Sequence, residues 1–320
     1  MDNKPQASSS KFQLKNLAFT LSVIVAVVWA MIFPEHFTTW GSFKVSSLII
    51  PLLMLIMFGM GTTMSIHDFA GVVKMPKAIL AGLLCQFTIM PIVGLLLVLL
   101  AGLPNEIAAG VILVGSSPSG LASNVMSYIS KSNVALSITL TAFATILAPF
   151  LTPLLMKLLA SSYVPVDVLG MLWSITKIVL LPIIAGLAFN HFFYERFKLF
   201  GKIMPIVSMT GIVVIIAVIT ASGRDSLLSI GFLLIGIVTL HNLIGYTLGY
   251  WITTLLGMDK KSARTIAFEV GMQNSGLASG IAAEMGRLAT MGLAPALFSI
   301  IQNITGSILS GFWRKDVKKM

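Results

Sequence analysis

The stretch Val114-Gly115-Ser116-Ser117-Pro118-Ser119-Gly120-Leu121-Ala122-Ser123 returns 156 positions later as Val270-Gly271-Met272-Gln273-Asn274-Ser275-Gly276-Leu277-Ala278-Ser279, with seven of ten residues identical. At nearly the same offset Pro51 meets Pro205, and at that offset Gln86 meets Asn242, so the chain is an internal duplication. Each copy sits in the middle of an apolar run, where Pro118 deletes a backbone hydrogen bond and Gly115 and Gly120 weaken a helix. Irregular backbone in hydrocarbon is tolerated only where protein or a water-filled cavity satisfies its polar groups. Both copies therefore predict an interrupted membrane helix. Small-residue packing at Gly276-x-x-x-Gly280 and Gly245-x-x-x-Gly249 is the alternative. It leaves the amides Asn124, Gln273 and Asn274 without a purpose.

The composition around these stretches belongs to a lipid-embedded protein. Of 320 residues, 57% are hydrophobic and 10% charged, against about a quarter charged in soluble domains, and the mean hydropathy is +0.96. A helix crossing a bilayer needs roughly 20 apolar residues. Apolar runs predict ten spans, near 16–33, 45–64, 77–101, 104–130, 133–159, 168–190, 203–221, 227–256, 262–286 and 289–312. With the N-terminus cytoplasmic, sixteen of the twenty-one basic residues fall on the inner side, as the distribution of positive charge in membrane proteins requires. The expected organisation is a cytoplasmic tail 1–15, a five-helix repeat 16–160, a second repeat 161–313 and a cytoplasmic tail 314–320, in the plasma (inner) membrane. A repeat with an odd number of spans inserts its second copy upside down, a signature of transporters.

Other classes lack their signatures. The formal net charge of +10 comes from short basic clusters without interleaved aromatics, which excludes a nucleic-acid surface. The run 16–33 follows Lys11 and Lys15 but lacks a small-x-small cleavage site before Pro34, so it reads as a retained helix. The single Cys85 has no disulfide or metal partner and reads as a buried small hydrophobe. No Gly-x-Ser-x-Gly, Gly-x-x-x-x-Gly-Lys or His-Glu-x-x-His motif points to an enzyme. His36, His67 and His191 fall in or near loops, and His241 reads as a packed polar residue or a proton relay. Lys177, inside a span five residues before Pro182, is expected either to snorkel or satisfy carbonyls near that proline, or to attract an anion.

The duplication breaks its symmetry where Leu113 in the first copy becomes Glu269 in the second. A carboxylate at the bilayer centre costs on the order of 3 kcal/mol on insertion scales and needs compensation. Arg264 lies toward the cytoplasmic end. A hard cation bound by oxygen ligands is the economical partner, and Glu269, Ser123, Asn124, Gln273, Ser137 and Thr141 supply oxygens, the last two on one helix face. A protonated or hydrogen-bonded structural Glu269 remains the other reading.

These residues resemble the bile acid:sodium symporter family, specifically its bacterial members. The matching stretches are Met57-Phe58-Gly59-Met60-Gly61-Thr62, Gly120-Leu121-Ala122-Ser123-Asn124-Val125-Met126, Asn133-Val134-Ala135-Leu136-Ser137, Leu181-Pro182-Ile183, His241-Asn242, Glu269 through Ala278, and Asn303-Ile304-Thr305-Gly306-Ser307. The resemblance implies an all-α fold of ten helices in panel and core domains, with the fourth and ninth unwound and crossing. It implies sodium-coupled symport of a small organic anion by alternating access, a bile acid or a pantothenate-like or keto-acid metabolite. Two sodium sites are implied, one from Ser123, Asn124, Ser137, Thr141 and Glu269. The other uses Gln86, Glu269, Gln273 and the carbonyls of Val270 and Met272. Asn274 is the position that faces the anion, and Pro118, Leu121, Gln302 and Asn303 are the further candidates on that face. Leu121 and Gln302 depart from the Thr and His common in close bacterial relatives. A proton-coupled or passive organic-anion carrier is the alternative to sodium symport, and the residues specify no oligomeric state.

Overall fold

The computed structural model describes residues 21–65, 71–193 and 198–317. The tail 1–15, the start of the first predicted span, His67, Arg196, Lys318 and Lys319 lie outside these residues. Among the described residues, six helices are long and apolar enough to cross a membrane: Val45–Thr62, Pro76–Ala101, Val134–Ala160, Val168–Phe193, Arg224–Leu255 and Leu288–Asp316. At about 1.5 Å per residue, even the shortest, of 18 residues, spans most of a 30 Å hydrocarbon layer.

In chain order the elements begin with α1 (Leu21–Ile32), the single turn α2 (Glu35–Thr38) and the hairpin β1 (Thr39–Trp40) and β2 (Phe43–Lys44). Then follow α3 (Ile49–Thr62), the short α4 (Gly71–Lys74), α5 (Pro76–Ala101), α6 (Asn105–Gly115), α7 (Leu121–Ile129) and α8 (Val134–Ala160). The second half holds α9 (Val168–Ile175), α10 (Leu181–Phe193), α11 (Lys198–Ser222), α12 (Arg224–Leu255), α13 (Lys260–Gly271), α14 (Ser275–Glu284), α15 (Leu288–Met291) and α16 (Leu293–Val317). The predicted spans 104–130 and 262–286 each arrive as two helices, α6 with α7 and α13 with α14. Helix α11 starts five residues before its predicted span, because its basic first turn continues the helix beyond the apolar window.

Local chemistry sets these boundaries. Pro76 stands at the start of α5, where its missing N–H costs nothing, and Gly102 ends that helix in the left-handed region at φ 61°. Asn133 caps α8 by accepting from Leu136 N–H at 3.1 Å, and Asp167 caps α9 through Gly170 N–H at 3.1 Å. Pro182 cannot donate into the preceding turn, and the chain absorbs the gap as a π turn over Thr176–Leu180 between α9 and α10. Lys177 lies exposed in that turn, its ammonium 6.0 Å from the Trp173 ring centroid.

Close backbone approaches hold the helices together. A Cβ on Gly61 of α3 would fall 2.2 Å from the Ile183 carbonyl oxygen, and one on Gly186 of α10 would fall 2.2 Å from that of Phe58. The two Gly-x-x-x-Gly motifs do pack: Gly245 and Gly249 lie against Gly271 and Ala267 of α13, and Gly276 and Gly280 of α14 receive Leu53 of α3. Small-residue packing and the interrupted helices thus coexist. The buried apolar core runs through both halves and includes Leu53, Leu113, Leu277 and Leu293.

Candidate functional site

Between α6 and α7 the chain leaves the helix at Ser116 and re-enters it after Gly120, whose φ of −106° and ψ of 161° are extended. Between α13 and α14 the break is Met272 to Asn274, with Met272 also extended. Helix interruption strands backbone groups that must be satisfied inside the protein. The two breaks satisfy each other. Asn274 N–H donates to the Pro118 carbonyl at 2.8 Å and Gly120 N–H to the Met272 carbonyl at 3.2 Å. Ser119 and Gln273 thereby form an antiparallel bridge at the crossing. The N-termini of α7 and α14, where a helix dipole is positive, begin at this bridge.

Glu269, one turn before the second break, is 2% exposed. Its carboxylate accepts from Ser119 at 2.6 Å, Ser123 at 2.6 Å, Ser137 at 2.5 Å and Thr141 at 2.9 Å. The same hydroxyls crowd other oxygens. Ser137 and Thr141 lie 2.7 and 3.2 Å from the Asn124 side-chain oxygen, Ser123 lies 2.8 Å from the Gly120 carbonyl, and Ser123 and Thr141 are 3.5 Å apart. Eight oxygen–oxygen contacts are therefore shared among four hydroxyls, each with one hydrogen to give. At least four contacts bring oxygens together with no proton between them, a surplus of negative dipole suited to a cation. Among the described residues the ion pairs involve Arg224, Lys260, Arg264 and Arg287, none of them with Glu269. Arg264 instead pairs with Asp316 and lies 5.5 Å from the Trp313 ring centroid.

A second oxygen cluster lies beside the first. Gln86 of α5 donates both amide hydrogens, to the Ser117 carbonyl at 2.9 Å and to Gln273 Oε1 at 2.7 Å. Gln273 in turn donates to the Val270 carbonyl at 2.6 Å. Gln86 Oε1 is buried and has no hydrogen-bond partner. Buried acceptors without partners are rare enough to need a reason. The structure thus brings Ser123, Asn124, Ser137, Thr141 and Glu269 into one network and Gln86, Val270 and Gln273 into its neighbour. Met272 contributes the carbonyl already engaged by Gly120. Sequence reasoning missed Ser119, although it is one of the identical positions of the repeat.

The anion-facing candidates have distinct surroundings. Asn274 caps α14 by accepting from Leu277 N–H at 3.0 Å, and Pro118 is buried in the bridge. Leu121, first residue of α7, is 36% exposed. Asn303 donates to the Ser299 carbonyl at 2.7 Å. Gln302 has both amide atoms on the Gln273 backbone, at 2.7 and 3.0 Å. His241 is buried with its Nε2 2.8 Å from the Met90 carbonyl and its ring edge-on to Phe298, the surroundings of a packed polar residue.

Comparison with known proteins agrees with this geometry. Residues 50–230 match the family described as "Sodium Bile acid symporter family". The chain is 44% identical over 302 residues to the Bacillus subtilis protein described as "Uncharacterized sodium-dependent transporter YocS", covering 94% of this chain and 92% of that one. It is 37% identical over 267 residues to an Arabidopsis thaliana protein described as "Probable sodium/metabolite cotransporter BASS1, chloroplastic", covering 83% and 67% respectively. A second Arabidopsis thaliana relative, "Probable sodium/metabolite cotransporter BASS3, chloroplastic", is 35% identical over 318 residues, covering 98% and 72%. A polytopic helical chain with paired broken helices around a buried acid, matched in this way, belongs to the Sodium Bile acid symporter family of sodium-dependent transporters.

Proposed function

We propose that the protein is a symporter that carries a small organic anion inward with two sodium ions by alternating access. In this reading the six long helices, α1, α11 and the two broken pairs make ten crossings, arranged as two inverted repeats with both termini cytoplasmic in the plasma membrane. The core carries the crossing, and the panel, which includes α3 and α10, is the surface it rocks against.

The observation that supports this most strongly is the proton deficit around Glu269, eight contacts for four hydroxyl hydrogens. A sodium ion among Ser123, Asn124, Ser137, Thr141 and Glu269, with Ser119 added, answers it with oxygen ligands a hard cation prefers. A second, held by Gln86, Gln273, Glu269 and the Val270 and Met272 carbonyls, answers the orphaned Gln86 oxygen. The rival, proton coupling through Glu269, adds one hydrogen and still leaves three contacts unserved. Two sodium ions balance one Glu269 carboxylate and one substrate carboxylate, so the loaded site crosses near neutrality. Each sodium moved inward gains about 2.3 kcal/mol per 100 mV.

The positive ends of α7 and α14, with Asn274 between them, suit the carboxylate of a bile acid-like, pantothenate-like or keto-acid-like substrate. Pro118, Leu121 and Asn303 shape the same face, with Leu121 supplying apolar surface. The test is uptake of a panel of such carboxylates into proteoliposomes at fixed pH, with the sodium and proton gradients imposed separately. Accumulation driven by sodium alone is expected. Accumulation driven by protons alone overturns the reading.

A further inference from the structure

The bonds at the crossing use the Met272 carbonyl and the Asn274 N–H, which leaves both backbone groups of the intervening Gln273 to be satisfied elsewhere. Gln302 of α16 takes both. Its Oε1 accepts from Gln273 N–H at 2.7 Å and its Nε2 donates to the Gln273 carbonyl at 3.0 Å, with Ser275 Oγ 3.4 Å from the same nitrogen. One side-chain amide meets the N–H and the carbonyl of a single residue, on two successive peptide planes, in the reciprocal pattern of a strand pair, and the reversed amide would oppose donor to donor. Gln302 is 4% exposed, and its own carbonyl accepts from Tyr246 O–H at 3.3 Å. The arrangement belongs to one copy of the repeat. Ile146 stands 156 positions before Gln302, and the first unwound segment is held instead by Gln86 on the Ser117 carbonyl and Thr152 on the Ser116 carbonyl at 2.7 Å.

We infer that Gln302 is a positioning residue for sodium binding rather than a contact of the transported anion, an inference that rests on the sodium reading above. It fixes the Gln273 backbone, from which the Gln273 side chain reaches Gln86 and the Val270 carbonyl, and whose N–H shares a peptide with the Met272 carbonyl. Release of that backbone lets the ligand set drift while the anion-facing Asn274 keeps its cap on α14.

Sodium chloride titration of the detergent-purified protein by calorimetry, in choline-balanced buffer, tests this. Gln302→Met keeps the volume and removes both hydrogen-bonding atoms. It is expected to weaken sodium binding about tenfold, the effect of losing one well-made hydrogen bond. It is also expected to shrink the sodium-dependent rise in melting temperature while leaving the anion KM at saturating sodium unchanged. Gln302→Asn, one methylene shorter and still polar, carries the same test where Gln302→Met fails to fold, with a smaller loss in the same direction. Sodium affinity equal to wild type overturns the inference. So does a change in anion KM at saturating sodium without a change in sodium affinity. A wild-type protein that binds no sodium overturns the sodium reading itself, a distinct outcome from either.

Discussion

Gln86 and Asn242 occupy corresponding positions of the two copies, and each donates its amide hydrogens into the adjacent unwound backbone, Gln86 to Ser117 and Asn242 to Gly271 at 2.7 Å. There the likeness ends. The Asn242 oxygen accepts from Thr305 at 2.6 Å, whereas the Gln86 oxygen is buried with no partner. The acid shows the same divergence. Glu269 meets Ser123, Ser137 and Thr141, while Leu113, Leu293 and Leu297 place apolar side chains at the positions corresponding to the acid, Ser137 and Thr141, and Ser279 alone keeps the hydroxyl of Ser123. Of this pair of corresponding amides, one has its oxygen satisfied and the other has it left open. In the proposed reading, the cation site arises from what the folded chain leaves unsatisfied.

Breaking the open side is expected to have the largest effect. Glu269→Ala removes its one full negative charge and is expected to lower sodium-driven uptake in proteoliposomes about 100-fold, the scale of disrupting a buried charge pair. Uptake at wild-type level would remove the basis of the comparison. Next, Gln86→Leu and Asn242→Leu sharpen it. Gln86→Leu is expected to raise the sodium concentration for half-maximal uptake about tenfold. Asn242→Leu orphans the Gly271 carbonyl, while Thr305 keeps its bond to the Ile301 carbonyl, and is expected to destabilise the fold by about 2 kcal/mol, with sodium dependence kept. Thermal unfolding and sodium titration of the two variants separate these outcomes. Ser119→Ala deletes one of four hydroxyls on the carboxylate and is expected to weaken sodium binding several-fold, read by the same titration.

The smallest effect lies outside the membrane. Asp259 caps α13 through Lys261 N–H at 2.9 Å and Ser262 N–H at 3.1 Å. Partial burial pushes its carboxyl up, but the hydrogen bonds from Ser262 and Lys261 outweigh that and hold it below the usual range. A depressed folded value means that the stabilisation is present above the unfolded value near 3.9 and is lost as pH falls through the folded one. Asp259→Ala is therefore expected to cost about 1 kcal/mol near neutrality. That difference should be unchanged between pH 6 and 8 and should shrink only in strong acid, as thermal melts across pH will show.

Much of this was legible in the sequence because its cause is local. Glycine and proline in an apolar run announce a broken helix, and Ser137 and Thr141, four apart, share a face wherever that helix goes. Glu269 stood out because its counterpart is leucine. Ser119 was not legible, since its reach to Glu269 depends on two segments 150 residues apart crossing in extended form. For Gln302, the resemblance gave a place on the anion face but not its bonds to the Gln273 backbone, which depend on α16 meeting the second break. The bounds of α11 erred because apolar windows report lipid contact, while a helix continues for as long as its backbone is satisfied.

Leu53 of α3 lies against Gly276 and Gly280 of α14 with hydrocarbon on one side and bare backbone on the other. Dispersion has no preferred direction, so this contact resists separation while offering little resistance to shear. Such a joint behaves as a greased bearing, and in the proposed rocking of core against panel, sliding of α14 along it requires no directional bond to break at this contact.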